Sequence, residues 1–299
     1  MFIRRLPRFE YHAPTSLDEA LNLLAQYGSR AKVFAGGTDL FGAMKRREIV
    51  PDHLINLKGI AGLNRIDHDE KQGLRIGGLS ILGDLERSQI VKDKLAILAD
   101  ALNVIASPQI RNLGTIGGNI CGAVPSADTV PPLIASGASV KLTGKKEERT
   151  VLVEQFFKGR GQSVLRNDEI LTRIIIPNAP ENSGSAYFKL MTRNAMELAI
   201  VGVGVHLVLD NDGKTCQQAK IALGAAAPTP IRAHAAEEVL NNQAIDADLA
   251  AKAGKVAASE ASPISNVRAS KEYRMEMIAV LTERAVMQAY QRIQAKSKR

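Results

Sequence analysis

The chain has 299 residues, of which 45% are hydrophobic and 23% are charged, a balance that is ordinary for a globular protein of two or three compact units. No apolar run approaches the roughly 18–20 residues that a membrane-spanning helix needs. The segment from Met1 to Pro7 lacks the apolar region of a secretory signal. We therefore expect a cytoplasmic protein.

The net charge of +8 raises the possibility of a nucleic-acid-binding protein. However, the basic residues are spread along the chain, at Arg4-Arg5, Lys45-Arg46-Arg47, Lys145-Lys146 and the tail from Lys296 to Arg299. The chain has no Trp, and aromatic residues make up only 4% of it, so platforms for base stacking are scarce. We interpret the excess charge as a sign of an anionic ligand and an acidic partner surface.

The first elements predict a helix, a strand, a turn and a second helix. Ser16 to Glu19 fits a capping box, and the helical spacing that follows ends at Gly28. A short buried strand from Ala31 to Phe34 leads into Gly36-Gly37, and the next helix begins near Thr38 or Asp39. Backbone N–H groups gathered at such a turn hold phosphate oxygens. Asp39 either caps the helix or accepts from a ligand hydroxyl.

A second turn of the same kind is predicted at Thr115-Ile116-Gly117-Gly118-Asn119. Paired glycines favour positive φ and close approach of a ligand to the backbone. Two Gly-Gly turns, each beside a Thr and an amide or acid, predict two backbone walls around one polyanionic ligand. Cys121 lies next to the second turn, and with only Cys216 besides it the chain has too few cysteines for an iron–sulfur cluster or a Cys-rich zinc site.

The remaining elements follow from hydrophobic periodicity and turn residues. Helices are predicted over Leu82 to Ser88 and Leu95 to Ile105, with another opened by Asp128. Strands are predicted over Pro51 to Leu57, Leu74 to Gly78, Ser139 to Leu142 and Glu169 to Ile176, with a charged hairpin at Gly144 to Arg149.

The Pro, Asn, Gly and Ser residues at 178–185 indicate a linker and hence a domain boundary. Beyond it the sequence predicts a sheet covered by helices. The strands are Ala186 to Met191, Ala199 to Leu209 and Cys216 to Leu223, and the helices are Arg232 to Leu240, Asp248 to Ala261 and Lys271 to Ile293.

The motif from Ala35 to Asp39, together with that from Thr115 to Asn119, resembles the two FAD motifs of molybdenum-hydroxylase flavoprotein subunits. These are the medium chains of bacterial xanthine dehydrogenase, carbon monoxide dehydrogenase and their relatives. The likeness covers almost the whole chain, including Tyr187-Phe188-Lys189, Ala225 to Pro230 and Tyr273-Arg274.

The resemblance implies an α+β protein. Residues 1–177 would form an FAD-binding PCMH (vanillyl-alcohol-oxidase) type domain in two subdomains, about 1–57 and 58–177. Residues 178–185 would be the linker, and residues 186–299 an α+β carbon monoxide dehydrogenase flavoprotein-type C-terminal domain.

The resemblance also implies the cofactor-binding residues. Val33 to Leu40 would wrap the pyrophosphate, and Thr115 to Asn119 would form the opposing wall, with the Thr115 hydroxyl and Asn119 amide as donors. Asp128 would accept from a ligand hydroxyl or amine, and Lys189 would reach an exposed flavin oxygen, the alternative being a solvated strand lysine. Ile105 would lie near the flavin ring or the adenine end, and Leu171 would pack at the adenine side. The alternative for both is a plain core side chain. The full implied set is Val33, Phe34, Ala35, Gly36, Gly37, Thr38, Asp39, Leu40, Ile105, Thr115, Ile116, Gly117, Gly118, Asn119, Asp128, Leu171 and Lys189.

The function implied is that of an oxidoreductase subunit that binds FAD and transfers electrons, with no catalytic acid or base and no metal of its own. Partners would be a large molybdenum-cofactor subunit and a small subunit with two [2Fe–2S] clusters, in a heterotrimer or a dimer of heterotrimers. Electrons would pass to an acceptor such as NAD or a quinone. The chain lacks the Cys-rich insertion of some relatives and an aromatic residue between Met191 and Glu197. Its five histidines are scattered in the sequence.

The alternative within the same fold is a stand-alone flavin oxidoreductase. Such an enzyme would close a substrate pocket with catalytic residues of its second domain, and no matching Ser/Arg/Glu set is evident from Ala186 to Arg299. A nucleic-acid-binding module without a cofactor is the third possibility.

Overall fold

The computed structural model describes residues 5–193 and 195–297. The expectations that concern Met1 to Arg4, Asn194, Lys298 and Arg299 lie outside the described residues. The strands are β1 (Glu10–His12), β2 (Ala31–Phe34), β3 (His53–Asn56), β4 (Ile66–Asp69), β5 (Gly73–Gly77), β6 (Ser139–Gly144), β7 (Glu148–Leu152), β8 (Phe157–Gly159), β9 (Gln162–Ser163), β10 (Glu169–Ile176), β11 (Ser183–Leu190), β12 (Val201–Leu209), β13 (Cys216–Gly224) and β14 (Ile231–Arg232). The α-helices are α1 (Leu17–Tyr27), α2 (Leu40–Arg46), α3 (Leu82–Arg87), α4 (Gln89–Lys94), α5 (Ala96–Val104), α6 (Pro108–Arg111), α7 (Ile116–Cys121), α8 (Val130–Ala135), α9 (His234–Leu240), α10 (Ala247–Glu260) and α11 (Lys271–Ser297).

The N-terminal unit is a parallel three-stranded sheet in the order β1-β3-β2. The predicted cap of α1 is present, since the Ser16 hydroxyl accepts from the Glu19 N–H and the Glu19 carboxylate accepts from the Thr15 N–H. The helix then buries Ala20, Leu21 and Leu24. This unit positions the first glycine turn at the end of β2.

The second unit is an antiparallel five-stranded sheet in the order β4-β5-β10-β6-β7. Its core joins the sheet to α3, α4, α5, α7 and α8, and Ile76, Leu98, Ile120, Leu133 and Ile174 are fully buried within it. The second glycine turn begins α7 in this unit.

The C-terminal unit is an antiparallel four-stranded sheet in the order β11-β12-β13-β14. The backbone of α11 lies against Gly184, where a Cβ would be 3.3 Å from the Ala289 carbonyl carbon. On the opposite face α8 reaches Gly204, where a Cβ would be 3.1 Å from the Pro131 carbonyl carbon. Glycines in these strands therefore let helices from both sides approach the sheet.

An ion pair also joins the last helix to the preceding unit. Both terminal nitrogens of the Arg292 guanidinium donate to the Asp100 carboxylate, at 2.7 and 2.9 Å. The Tyr187 N–H donates to the same carboxylate at 3.1 Å. These contacts tie α5 to β11 and α11.

Several sequence predictions need correction. Ser183 to Ser185, predicted as part of the linker, belong to β11 because Ser183 pairs with Val208 on the neighbouring strand. The sequence analysis missed α4 and the short strands β1 and β4. Asp128 does not begin α8, which starts at Val130 with no side-chain cap.

None of the helices in the described residues is both long enough and apolar enough to span a bilayer.

Candidate functional site: a cofactor cradle between two glycine turns

The first glycine turn connects β2 to α2. Gly37 has φ of +74°, a conformation that side chains disfavour, and a Cβ there would be 2.6 Å from Phe34 Cε2 and 2.8 Å from Phe41 Cε2. Positive φ at this turn is therefore confirmed. Asp39 occupies the N-cap position of α2, but its side chain makes no capping hydrogen bond and is exposed. The capping explanation of Asp39 is wrong, and its contact with a ligand stays a prediction.

The second glycine turn is the first turn of helix α7. Thr115 is the N-cap, and its hydroxyl oxygen accepts from the Gly118 N–H at 3.1 Å. Neither Gly117 nor Gly118 has positive φ, so the expected left-handed turn is wrong here. Gly117 is needed for another reason: its N–H donates to the Gly78 carbonyl at 2.9 Å, and a Cβ would lie 3.0 Å from the carbonyl carbon of Gly78.

The two turns contact each other through their backbones. A Cβ on Gly36 would lie 2.9 Å from the Cα of Gly114 and closer still to the Leu113 carbonyl oxygen. A Cβ on Gly114 would lie 3.8 Å from the Thr38 hydroxyl oxygen. The structure therefore places the first motif against the two residues that lead into the second motif, at separations of 76 to 78 residues in the sequence. The second backbone wall stays a prediction.

The first glycine turn carries backbone donors without a protein partner. Within the described parts of the chain, no protein acceptor is found for the backbone N–H groups of Gly36, Gly37 and Thr38. Consecutive free N–H groups at a glycine turn form a binding site for phosphate oxygens. The Lys58 ammonium lies 4.2 Å from the centroid of the Phe34 ring, beside the same turn, and adds positive charge. The donor set thus fits the diphosphate of a dinucleotide.

Asn119 is oriented by a hydrogen bond from within the protein. Its side-chain oxygen accepts from the Thr129 hydroxyl at 2.7 Å. This bond leaves the amide NH₂ group as the donor that is free for a ligand. The arrangement agrees with the expected role of Asn119, whose contact with FAD stays a prediction.

Asp128 and Lys189, 61 residues apart, form a buried ion pair near the second turn. The Lys189 ammonium, whose side chain is fully buried, donates to one Asp128 carboxylate oxygen at 2.8 Å. The other oxygen accepts from the Tyr187 hydroxyl at 3.0 Å. Lys189 also donates to the carbonyl oxygens of Val104 at 3.1 Å and Glu197 at 2.8 Å. The alternative of a solvated strand lysine is therefore wrong.

Burial controls the protonation of this cluster. It raises the pKa of the Asp128 carboxyl above its ordinary value, against the opposing effect of the Lys189 charge and of the hydrogen bonds from Lys189 and Tyr187. It also raises the pKa of the Tyr187 hydroxyl well above its ordinary value. The Tyr187 hydroxyl thus remains a hydrogen-bond donor at neutral pH. All three ammonium protons of Lys189 are used within the protein, so its reach to a flavin oxygen stays a prediction that requires a local exchange of partners.

Ile105 and Leu171 are both buried in the core of the second unit. Ile105 is the C-cap residue of α5, and its carbonyl oxygen accepts from the Arg111 guanidinium at 2.8 Å. Leu171 lies under Gly78, where a Cβ would be 3.2 Å from its side chain. Their core role is evident, and a contact with FAD stays a prediction for each. Ile116 is likewise fully buried at the start of α7.

Sequence reasoning missed two supports of the second turn. The Arg111 guanidinium donates to both oxygens of Glu86, at 2.8 and 2.9 Å, and so fixes the segment that leads into the turn. Gly78 forms the floor beneath Gly117. A third Gly-Gly pair occurs at 77–78, and this recurrence in the sequence could have pointed to Gly78. Nothing in the sequence connects Glu86 with Arg111.

Comparisons with known proteins agree with this geometry. Residues 7–179 match the family described as the FAD binding domain in molybdopterin dehydrogenase. Residues 186–289 match the carbon monoxide dehydrogenase flavoprotein C-terminal domain. The chain belongs to the FAD-binding medium subunits of the molybdenum hydroxylases. It is therefore a flavoprotein, and it is an oxidoreductase as part of a complex.

Medium subunits of known dehydrogenases align with almost the whole chain. The chain is 36% identical over 286 residues to the carbon monoxide dehydrogenase medium chain of Hydrogenophaga pseudoflava, covering 96% of this chain and 98% of that one. It is 34% identical over 280 residues to a putative xanthine dehydrogenase FAD-binding subunit of Escherichia coli (strain K12), covering 93% and 95% of the two chains.

Solved structures show the same fold. A chain of the carbon monoxide dehydrogenase from Hydrogenophaga pseudoflava that lacks the Mo-pyranopterin moiety superposes with a TM-score of 0.92 at 37% identity, covering 96% of this medium subunit and 99% of that chain. A chain of quinoline 2-oxidoreductase from Pseudomonas putida 86 gives a TM-score of 0.90 at 27% identity, covering 97% and 99%. The predicted family, fold class and FAD cofactor are confirmed.

Proposed function

We propose that this chain is the electron-transfer subunit of a heteromeric molybdenum-containing hydroxylase or dehydrogenase. It would connect [2Fe–2S] clusters in a small partner subunit to an external acceptor such as NAD or a quinone. A large partner subunit would hold the molybdenum cofactor and select the substrate. When bound, FAD supplies the one- and two-electron redox chemistry that such a connection needs.

The observation that carries the proposal is the backbone junction of the two glycine turns, with free N–H groups of Gly36, Gly37 and Thr38 beside it. These groups would hold the diphosphate without any side chain that titrates near neutral pH. Thr115 would fix the opposing wall, because its hydroxyl caps α7 directly after Gly114, which lies at the junction. The chain's own contribution is thus to bind and orient the cofactor.

The buried cluster of Asp128, Tyr187 and Lys189 would hold the flavin end of the site. It joins β11 of the C-terminal unit to the segment before α8. The Lys189 contact to the Glu197 carbonyl also fixes the loop after β11. We infer that this cluster sets the distance between the two domains across the cofactor, and that Asp128 and Lys189 exchange one protein partner for a ligand atom when FAD binds.

We further propose a heterotrimer or a dimer of heterotrimers as the assembly and the cytoplasm as its location. The cytoplasmic location is supported by the two cysteines, because Cys121 and Cys216 are both free thiols in the structure, as is common in a reducing compartment.

Purification of the chain from its native host under mild conditions tests this function. We expect a visible flavin spectrum and two co-purifying subunits, one with molybdenum and one with four iron atoms per copy. Flavin without such partners would contradict the electron-transfer role and favour a stand-alone flavin oxidoreductase. A colourless chain that binds no added FAD would contradict both.

A further inference from the structure

Three potential metal ligands share one face of the parallel sheet in the N-terminal unit. Glu10 on β1 lies opposite His53 on β3 in the strand register. His12 follows Glu10 by two residues, so its side chain points to the same face of the sheet. The sequence analysis treated the histidines as scattered, and the structure corrects this for His12 and His53.

The ligand atoms are close together. The Nε2 atom of His12 lies 3.2 Å from the Nδ1 atom of His53. The same Nδ1 atom lies 3.2 Å from a Glu10 carboxylate oxygen. All three ligand atoms lie within 4.8 Å of one another.

We propose that Glu10, His12 and His53 form a binding site for a divalent transition metal, with zinc as the best-fitting ion. Zinc binds imidazole nitrogen and carboxylate oxygen at about 2.0–2.2 Å with tetrahedral geometry, which places neighbouring ligand atoms about 3.3 Å apart. Two of the three ligand pairs are already at this spacing. The third pair is the Glu10 carboxylate and His12 Nε2. The Glu10 side chain is 72% exposed and can turn to bring its carboxylate to the same distance from His12.

A metal ion also satisfies the three groups better than a proton does. A proton on His53 Nδ1 donates to Glu10 or to His12, but it cannot make a full hydrogen bond to both. A cation at the centre of the triangle would accept a lone pair from each of the three ligands. Neutral imidazole is the usual nitrogen ligand of zinc in proteins.

The site is organised in advance by Tyr27. The Tyr27 ring stacks on the His53 ring, with centroids 3.6 Å apart and planes 14° from parallel, and its centroid is 5.2 Å from that of His12. His53 is only 8% exposed, so its ring has little freedom to turn. A metal ion held there would clamp β1, an edge strand of three residues, to the central strand β3.

This site is separate from the cofactor cradle. The first glycine turn follows Phe34, which pairs with Asn56 at the carboxyl end of β3. His53 is the first residue of the same strand, about 10 Å away at 3.3 Å per residue. Changes to the metal ligands should therefore leave FAD binding intact, and this gives the test an internal control.

The test uses the full chain loaded with FAD and freed of any affinity tag. Zinc binding is measured by calorimetric titration, and ligand geometry by the visible absorption of bound cobalt(II). We expect one ion per chain and a tetrahedral cobalt spectrum. With zinc at a hundredfold excess over Kd, Tm should rise by about 5 °C.

The variants are Glu10→Gln and His12→Gln, with His234→Gln as the matched control. The His234 ring also lies beside two carboxylates, those of Glu154 and Glu237, but has no second imidazole. Each ligand variant should weaken zinc binding by roughly a hundredfold or more with unchanged FAD content, and the control should bind as the wild type does.

Three results would overturn the proposal. These are no stoichiometric zinc binding by the wild type, undiminished binding by both ligand variants, or an equal loss in His234→Gln. If His12→Gln does not fold, Glu10→Gln still decides the question, because its change is confined to an exposed side chain.

Discussion

Adding one methyl group at Gly36 should separate the two glycine turns and weaken FAD binding. In Gly36→Ala the new Cβ would lie 2.9 Å from the Cα of Gly114, and closer still to the Leu113 carbonyl oxygen. Since carbon atoms pack at about 3.5–4.0 Å, the turns would have to move apart by about 1 Å. The fold should survive, because Gly36 is only half-buried and Leu113 is exposed, so the two segments can shift.

The size of the effect follows from the hydrogen bonds at the junction. A hydrogen bond lengthened by about 1 Å is lost, and one made to a charged group is worth about 1.5–3 kcal/mol. At about 1.4 kcal/mol for each tenfold change, loss of one bond to the diphosphate weakens binding by about 10- to 150-fold. The assay is titration of the flavin-free protein with FAD, followed by quenching of flavin fluorescence.

Gly42→Ala is the matched control for this experiment. It adds the same methyl group in α2, where the nearest atom is the flexible end of Arg46 at 3.3 Å. We expect wild-type affinity and a gain in stability of up to about 1 kcal/mol. A Kd for Gly36→Ala within twofold of the wild-type value would refute the proposed junction as the diphosphate site.

Three further predictions concern buried charge and protonation. Lys189→Met leaves the Asp128 carboxylate buried without its partner and should lower the free energy of unfolding by about 3–5 kcal/mol, measured in urea. Adding Asp128→Asn should recover part of this loss. Equal stability of Lys189→Met and the wild type would contradict the ion pair. Burial tends to raise the pKa of Glu169, but hydrogen bonds from Arg149 and Arg166 outweigh it and lower the pKa from 4.5 to about 2. The resulting stabilisation of about 3 kcal/mol is complete above pH 4.5 and is lost as the pH falls towards 2. Glu169→Gln should therefore flatten the pH dependence of the free energy of unfolding between pH 4.5 and pH 2. An unchanged pH profile would argue against the pairing of Glu169 with Arg149 and Arg166. Burial raises the pKa of the Cys121 thiol to about 12, so iodoacetamide should not alkylate it in the folded protein at pH 7, and rapid labelling there would contradict the expected inertness.

The parts of the site that depend on local sequence could be predicted. The turn at Gly36-Gly37 follows a short apolar strand, and Gly37 has the predicted positive φ. The strand from Glu169 to Ile176 has the predicted limits, because its β-branched run is bounded by Asp168 and Pro177. The capping box at Ser16 also begins its helix as expected.

The parts that depend on pairing across the fold could not be predicted. Aspartate is common at helix starts, yet the Asp128 carboxylate pairs with Lys189 on a strand of the other domain. The paired glycines predict a left-handed turn at Gly117, whereas Gly117 is a helical residue that lies against Gly78. His12 and His53 meet only because β1 and β3 are parallel neighbours, and no local pattern indicates that pairing.

The most direct test of the central claim is a crystal structure of the chain with bound FAD. We expect the diphosphate oxygens within hydrogen-bond distance of the backbone nitrogens of Gly36, Gly37 or Thr38, and the second turn at Gly117-Gly118 on the opposite side. FAD bound with its diphosphate away from both turns would contradict this claim.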